Sequence, residues 1–197
     1  MNLSNSSELK RKIAGLMIVR ASGHLLDSQR KYPFWEFSNK ELKTLLENGL
    51  GGVILHGGSV FEVQKKCKTL KNWAKHSILL CADVEEGVGQ RFEGGTWMPP
   101  PMALEIKYLE NSQKALFLAE QYGRCIGNQA RRCGLNWVLA PVCDINSNPL
   151  NPVINMRAWG KDPKTVADLA ISFHKGLISQ GVLSCAKHFP GHGDTRV

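Results

Sequence analysis

The chain has 197 residues, 43% of them hydrophobic, and a formal net charge of +8. That is enough apolar side chain for one sizeable core and too much for a disordered chain. No run approaches the roughly 20 apolar residues of a membrane-spanning helix. Lys and Arg are dispersed, with no basic run interleaved with aromatics, which argues against a nucleic-acid partner and leaves a mild attraction for anionic substrates. The opening Met1-Asn2-Leu3-Ser4-Asn5-Ser6-Ser7 lacks a basic-then-apolar leader pattern, so a cytoplasmic chain is expected. Cys67, Cys81, Cys125, Cys133, Cys143 and Cys185 never stand as Cys-x-x-Cys, and buried free thiols are the expectation.

In chain order, short apolar runs alternate with helical patterns. A strand is predicted over 14–19. A capping box of Ser38 and Glu41 then opens a helix carrying Leu42, Leu45 and Leu46, which Gly49 stops. A strand at 52–55 leads through His56-Gly57-Gly58 to a second box, Ser59 with Glu62, and a helix with Val63, Cys67, Leu70 and Ala74 on one face. A third strand is predicted at 78–82. The next helix runs from about Asn111 with Ala115, Leu118, Ala119, Tyr122 and Ile126 inward. A fourth strand at 137–143 is followed by a helix opened by Asp162-Pro163, and a fifth strand covers 182–186. Five strands separated by four helices make βαβ units, hence an α/β fold with a parallel sheet and a ligand site at the carboxyl ends of the strands. Either a doubly wound sheet or part of an eightfold barrel satisfies this pattern.

The polar residues cluster where that fold puts its site. Asp83 follows strand three, Asp144 strand four, and Lys187-His188 strand five. Asp83-Val84-Glu85-Glu86-Gly87-Val88-Gly89-Gln90-Arg91 joins a carboxylate that can accept bonds from two hydroxyls to an arginine fork that can clamp another oxygen. A salt-bridged loop without a ligand is the alternative. Pro190-Gly191 between His188 and His192 forbids the regular helix that an i, i+4 zinc half-site requires, so no metal is expected. His56-Gly57-Gly58-Ser59 could form an oxyanion turn or a phosphate cradle. Without a Gly-x-Ser-x-Gly elbow or a following Lys-Ser/Thr, it reads as a tight turn capped by Ser59. Trp97 and Trp159, in the long connections 84–110 and 145–162, are candidates for stacking on sugar faces; Trp35, Trp73 and Trp137 are expected in the core.

The run Ala186-Lys187-His188-Phe189-Pro190-Gly191-His192-Gly193-Asp194-Thr195 resembles the signature of glycoside hydrolase family 3, in its β-N-acetylhexosaminidase branch. Gly51 to Leu55, Asp83 to Arg91, Leu139 to Asp144 and Val153 to Gly160 agree with the same family in order and spacing. Glu86 and Gly89 depart from the glycine and valine of many members, and His56-Gly57 from a common Arg-Asn.

The resemblance implies a (β/α)8 barrel of which residues 1–197 hold about five of eight β/α units, incomplete on the carboxyl side. It implies retaining removal of terminal non-reducing N-acetylglucosamine, as in peptidoglycan recycling, from a glycoside or muropeptide, without a cofactor. The sugar-binding set carried over is Asp83, Arg91, Arg157, Lys187 and His188. By the same resemblance the acid/base Asp-His pair and the nucleophilic Asp fall after Val197, so no catalytic residue is expected within the chain. The alternatives are a non-catalytic sugar-binding fragment, a fragment completed by a second chain, or a phosphorylase in the full-length parent.

Overall fold

A computed structural model describes residues 3–196. Met1, Asn2 and Val197, on which the leader and chain-end expectations fall, lie outside the described residues. The elements are α1 (Leu3–Ala14), β1 (Ile18–Ser22), α2 (Asn39–Glu47), β2 (Gly52–His56), α3 (Val60–Ala74), β3 (Leu79–Ala82), α4 (Ala103–Glu110), α5 (Ser112–Arg132), β4 (Trp137–Val138) and α6 (Pro163–Ile178). The α/β class expected from the sequence is the one observed. Among the described residues no helix is long and apolar enough to cross a membrane.

Two compact units divide the chain. The first takes the residues through Ala82, with 91–94 and 132–136. Its strands β1, β2 and β3 are parallel neighbours, in a register that sets Val19 beside Val53 and Val53 beside Leu80. Val53, Leu55 and Leu80 are fully buried, as are Leu42 and Leu46 of α2 and Val63 and Leu70 of α3. Both helices start at the expected boxes: Ser38 Oγ accepts from the Glu41 N–H at 3.3 Å and Glu41 Oε2 from the Ser38 N–H at 2.8 Å, and Ser59 and Glu62 repeat the exchange. The strand predicted at 14–19 is displaced: Ala14 closes α1 and β1 begins at Ile18. The missed α1 buries none of its described side chains.

The second unit holds 83–90, 95–131 and the chain from Trp137. Trp159, Phe173 and Tyr122 form an aromatic core, with ring centroids 5.3 to 6.1 Å apart. Helices α5 and α6 meet at glycines. A Cβ on Gly123 would stand 2.0 Å from Phe173 O, and one on Gly176 would stand 1.9 Å from Glu120 O. The Asp162 carboxylate caps α6 by accepting from the Thr165 N–H at 2.9 Å, as expected of Asp162-Pro163.

The fourth and fifth predicted strands are shorter than expected. β4 is two residues, and 182–187 runs parallel to 137–143 through isolated bridges, Trp137 with Leu183 and Val142 with Lys187. Backbone bonds from Val138 N to Leu183 O, Cys185 N to Ala140 O and Lys187 N to Pro141 O keep the register. Pro141 has no N–H to give, which interrupts the ladder midway. Six cysteines are free, but only Cys67, Cys81 and Cys133 are buried; Cys125, on the outer face of α5, and Cys143, beyond the strand end, are exposed, against expectation.

Candidate functional site

Four charged residues of the second unit converge. Asp83 and Glu85 leave the end of β3 two residues apart, so alternation turns them to one side. Lys187 arrives from the end of the fifth strand segment, and its Nζ donates to Asp83 Oδ1 at 2.8 Å and to Glu85 Oε1 at 2.5 Å. Arg157, on a 3-10 turn (Asn155–Arg157), grips Glu85 with two parallel bonds, Nε to Oε2 at 2.9 Å and Nη2 to Oε1 at 2.8 Å. A third arginine bond, Nη1 to Val153 O at 2.9 Å, fixes the guanidinium to its own loop.

Glu85 is the hub and has only 2% of its side chain exposed, against 25% for Asp83. Burial by itself would raise the Glu85 carboxyl, but the hydrogen bonds from Arg157, with the charge and hydrogen bond of Lys187, hold it below the usual carboxylate range. The same bond to Glu85 raises the Arg157 guanidinium, against the desolvation that would lower it. Glu85 therefore stays ionised and acceptor-only. The outer groups, the Asp83 carboxylate and the Lys187 ammonium, offer an acceptor and a donor to a hydroxylated ligand.

Asp144 organises the neighbouring loop. Its side chain is fully buried and receives His188 Nδ1 on Oδ2 at 2.5 Å, the His188 N–H on Oδ2 at 3.2 Å and the His192 N–H on Oδ1 at 2.6 Å. A neutral His188 ring then donates from Nδ1 and keeps Nε2 as an acceptor; the protonated ring donates from both nitrogens. Asn151, fully buried, donates from Nδ2 to His192 O at 2.6 Å. Gly193 lies so close to the 144–151 loop that an added Cβ would stand 1.8 Å from Ile145 O. The Lys-His-Phe-Pro-Gly-His run is thus clamped along its length.

Of the five expected binding residues, the structure joins Asp83, Arg157 and Lys187 through Glu85 and holds His188 on Asp144. Arg91 is exposed, follows the turn Val88–Gln90 and belongs to the first unit. The expected set omitted Glu85 and Asp144; the Asp-x-Glu spacing at a strand end and the acid closing strand four were their signals. Trp159 is corrected from stacking candidate to core, being 1% exposed against Tyr122 and Phe173. Trp97 is 65% exposed but ties its Nε1 to Glu86 Oε2 at 2.6 Å. Trp35, expected in the core, is 66% exposed. It lies in the connection between β1 and α2, outside both elements.

The description "Glycosyl hydrolase family 3 N terminal domain" matches residues 8–197. The chain belongs to glycosyl hydrolase family 3. Its fold is accordingly that of the family's β/α-barrel domain, represented by part of the barrel. The beta-hexosaminidase of Neisseria meningitidis serogroup B is 34% identical over 165 residues, which are 81% of this chain and 45% of that protein. The crystal structure of NagZ from Neisseria gonorrhoeae in complex with N-trifluoroacetyl-D-glucosamine superposes with a TM-score of 0.75 at 28% identity, over 89% of this chain and 51% of that one. A family 3 beta-N-acetylglucosaminidase from Paenibacillus sp. str. FPU-7 gives a TM-score of 0.75 at 30% identity, over 94% of this chain and 34% of that one. This chain therefore spans about half or less of the length of these relatives.

Proposed function

We propose that the chain supplies the sugar-binding part of a retaining β-N-acetylhexosaminidase that removes terminal non-reducing N-acetylglucosamine. The observation that carries this reading is the Lys187 ammonium set between Asp83 and Glu85 with Arg157 behind it. A pyranose ring presents vicinal hydroxyls that accept and donate together, and an adjacent carboxylate and ammonium match such a pair. His188, oriented by Asp144, adds a third polar contact. The names of the relatives support N-acetylglucosamine as the sugar.

Retaining hydrolysis needs a nucleophile and an acid/base about 5–5.5 Å apart across the scissile bond. A general acid at neutral pH needs a raised carboxyl, whereas Glu85 is lowered and Asp144 is spent on two backbone N–H groups and a histidine. The acid/base and nucleophile are assigned to the part of the family fold that the relatives carry and these residues do not span, whether in the same polypeptide or a second chain. Peptidoglycan fragments as the source of the glycoside, and the cytoplasm as the place, belong to this proposal; cell fractionation with an antibody tests the second.

Calorimetric titration with N-acetylglucosamine tests the binding reading. Millimolar binding by the wild type and about a tenfold loss in Lys187→Ala, equivalent to about 1.4 kcal/mol, are expected. Equal affinity in both proteins refutes the assigned cluster.

A further inference from the structure

The first unit displays an aromatic surface. Between β1 and α2, the segment Tyr32-Pro33-Phe34-Trp35-Glu36-Phe37 leaves Phe34 89% exposed and Trp35 66% exposed. Their rings meet edge to face with centroids 5.2 Å apart. Contiguous exposed aromatics on one short loop call for a partner, where single exposed apolar residues do not.

This display is built. Glu36 is buried at 3% exposure, accepts from the Tyr32 N–H at 3.2 Å and faces Arg20 of β1 at 3.6 Å. Arg30 donates to Glu36 O at 2.6 Å, and the Trp35 N–H bonds Tyr32 O at 2.8 Å. Phe37 pairs with β1 beside Ala21, its N–H bonding Arg20 O at 3.1 Å. Tyr32 already has its ring under cations, with Arg20 at 5.1 Å and Lys31 at 5.5 Å from its centroid. The rings left for a ligand are those of Phe34 and Trp35, held at a fixed place by a buried acid.

Beside them lies a depression of about 250 Å³ bounded by Pro33, Phe34, Trp35 and Glu41. It adjoins a wider one of about 710 Å³ that shares Pro33 and Glu41 and adds Arg30, Lys40 and Thr44. Glu41 Oε2 is committed to the helix cap, accepting from the Ser38 N–H and hydroxyl at 2.8 and 2.6 Å, while Lys40 is exposed and free to donate. An exposed aromatic face beside open grooves whose lining includes Arg30, Ser38, Lys40 and Thr44 among apolar residues fits a pyranose chain: a ring C–H face stacks and hydroxyls bond. A membrane or a protein helix would instead require a continuous apolar surface, which Arg30, Lys40 and Glu41 interrupt.

We propose that Phe34 and Trp35 form a carbohydrate-stacking surface for an oligosaccharide of N-acetylated pyranoses. The choice of sugar rests on the proposed N-acetylglucosamine reading. Titration of the full chain with chitotetraose and with N-acetylglucosamine tests it. The wild type is expected to bind the tetrasaccharide more tightly than the monosaccharide. Trp35→Ala and the Phe34→Ala/Trp35→Ala double variant should weaken tetrasaccharide binding about tenfold, with monosaccharide binding unchanged. Trp35→Phe, which keeps a ring and serves if the alanine variants fail to fold, should fall between. Lys187→Ala should weaken monosaccharide binding about tenfold and leave the Trp35-dependent part, so the two readings fail separately. Tetrasaccharide affinity equal in wild type, Trp35→Ala and Trp35→Phe overturns the proposal, as does the absence of tetrasaccharide binding by the wild type. Loop-dependent dimerisation, or binding to vesicles of anionic lipid, with no loop effect on the tetrasaccharide also overturns it.

Discussion

Glu85→Gln keeps the shape of the hub and removes its charge. Three charge-assisted bonds are affected, two from Arg157 and one from Lys187. Such bonds contribute about 1.5–3 kcal/mol each in net terms, and breaking a buried ion pair costs about 3–5 kcal/mol. Lys187 retains Asp83 and Arg157 retains Val153 O, and both cations keep some exposure, so the loss is reduced to about 2–4 kcal/mol. For a chain of this size each kcal/mol corresponds to roughly 2–4 °C in Tm, giving a drop of roughly 4–16 °C. Urea unfolding followed by tryptophan fluorescence at several pH values is the assay. The folded Glu85 carboxyl lies below its ordinary value of 4.5, so its stabilisation is fully present above that value and is lost as pH falls through the folded pKa. The gap between wild type and variant should hold from neutral pH to about pH 5 and close in stronger acid. A gap under about 0.5 kcal/mol at pH 7, or one that widens in acid, refutes Glu85 as the charged hub.

Asp144→Ala should release the 188–195 loop: hydrogen exchange at the His188 and His192 amides should speed by at least about tenfold, with N-acetylglucosamine affinity falling alongside. Protected amides in that variant would contradict the clamp. Gly193→Ala forces a methyl against Ile145 O and should cost about 1–3 kcal/mol, read by urea midpoint; a neutral effect would show that the two loops separate easily. The isolated chain should give no turnover of an aryl N-acetylglucosaminide, and robust hydrolysis would falsify the assignment of the acid/base and nucleophile outside these residues.

Much of the fold was legible because its signals are local. Ser38, Ser59 and Asp162 mark helix starts through hydrogen bonds that span three residues, and apolar runs mark β2 and β3. Where the deciding force is tertiary, the sequence was silent. Trp159 sits in a long polar loop yet fills the core against Phe173, and Trp35 looks like a core residue yet is held outward by Glu36. The site divides in the same way. Asp83, Arg157, Lys187 and His188 carry motif spacing, while Glu85 and Asp144, marked only by their places at strand ends, take their partners across 72 and 44 residues.

The glycine crossing of α5 and α6 reaches further than helix packing. Gly123 and Gly176 leave no room for even one methyl group, so the two helices share a single permitted spacing. Helix α6 begins at Pro163, six residues after Arg157, with Ala158 and Trp159 packed between. Any side chain at the crossing moves the start of α6, and with it the guanidinium that holds Glu85. Two residues that touch no ligand therefore form part of the ruler by which the charged cluster is measured out, and variation there should be read as variation in the site.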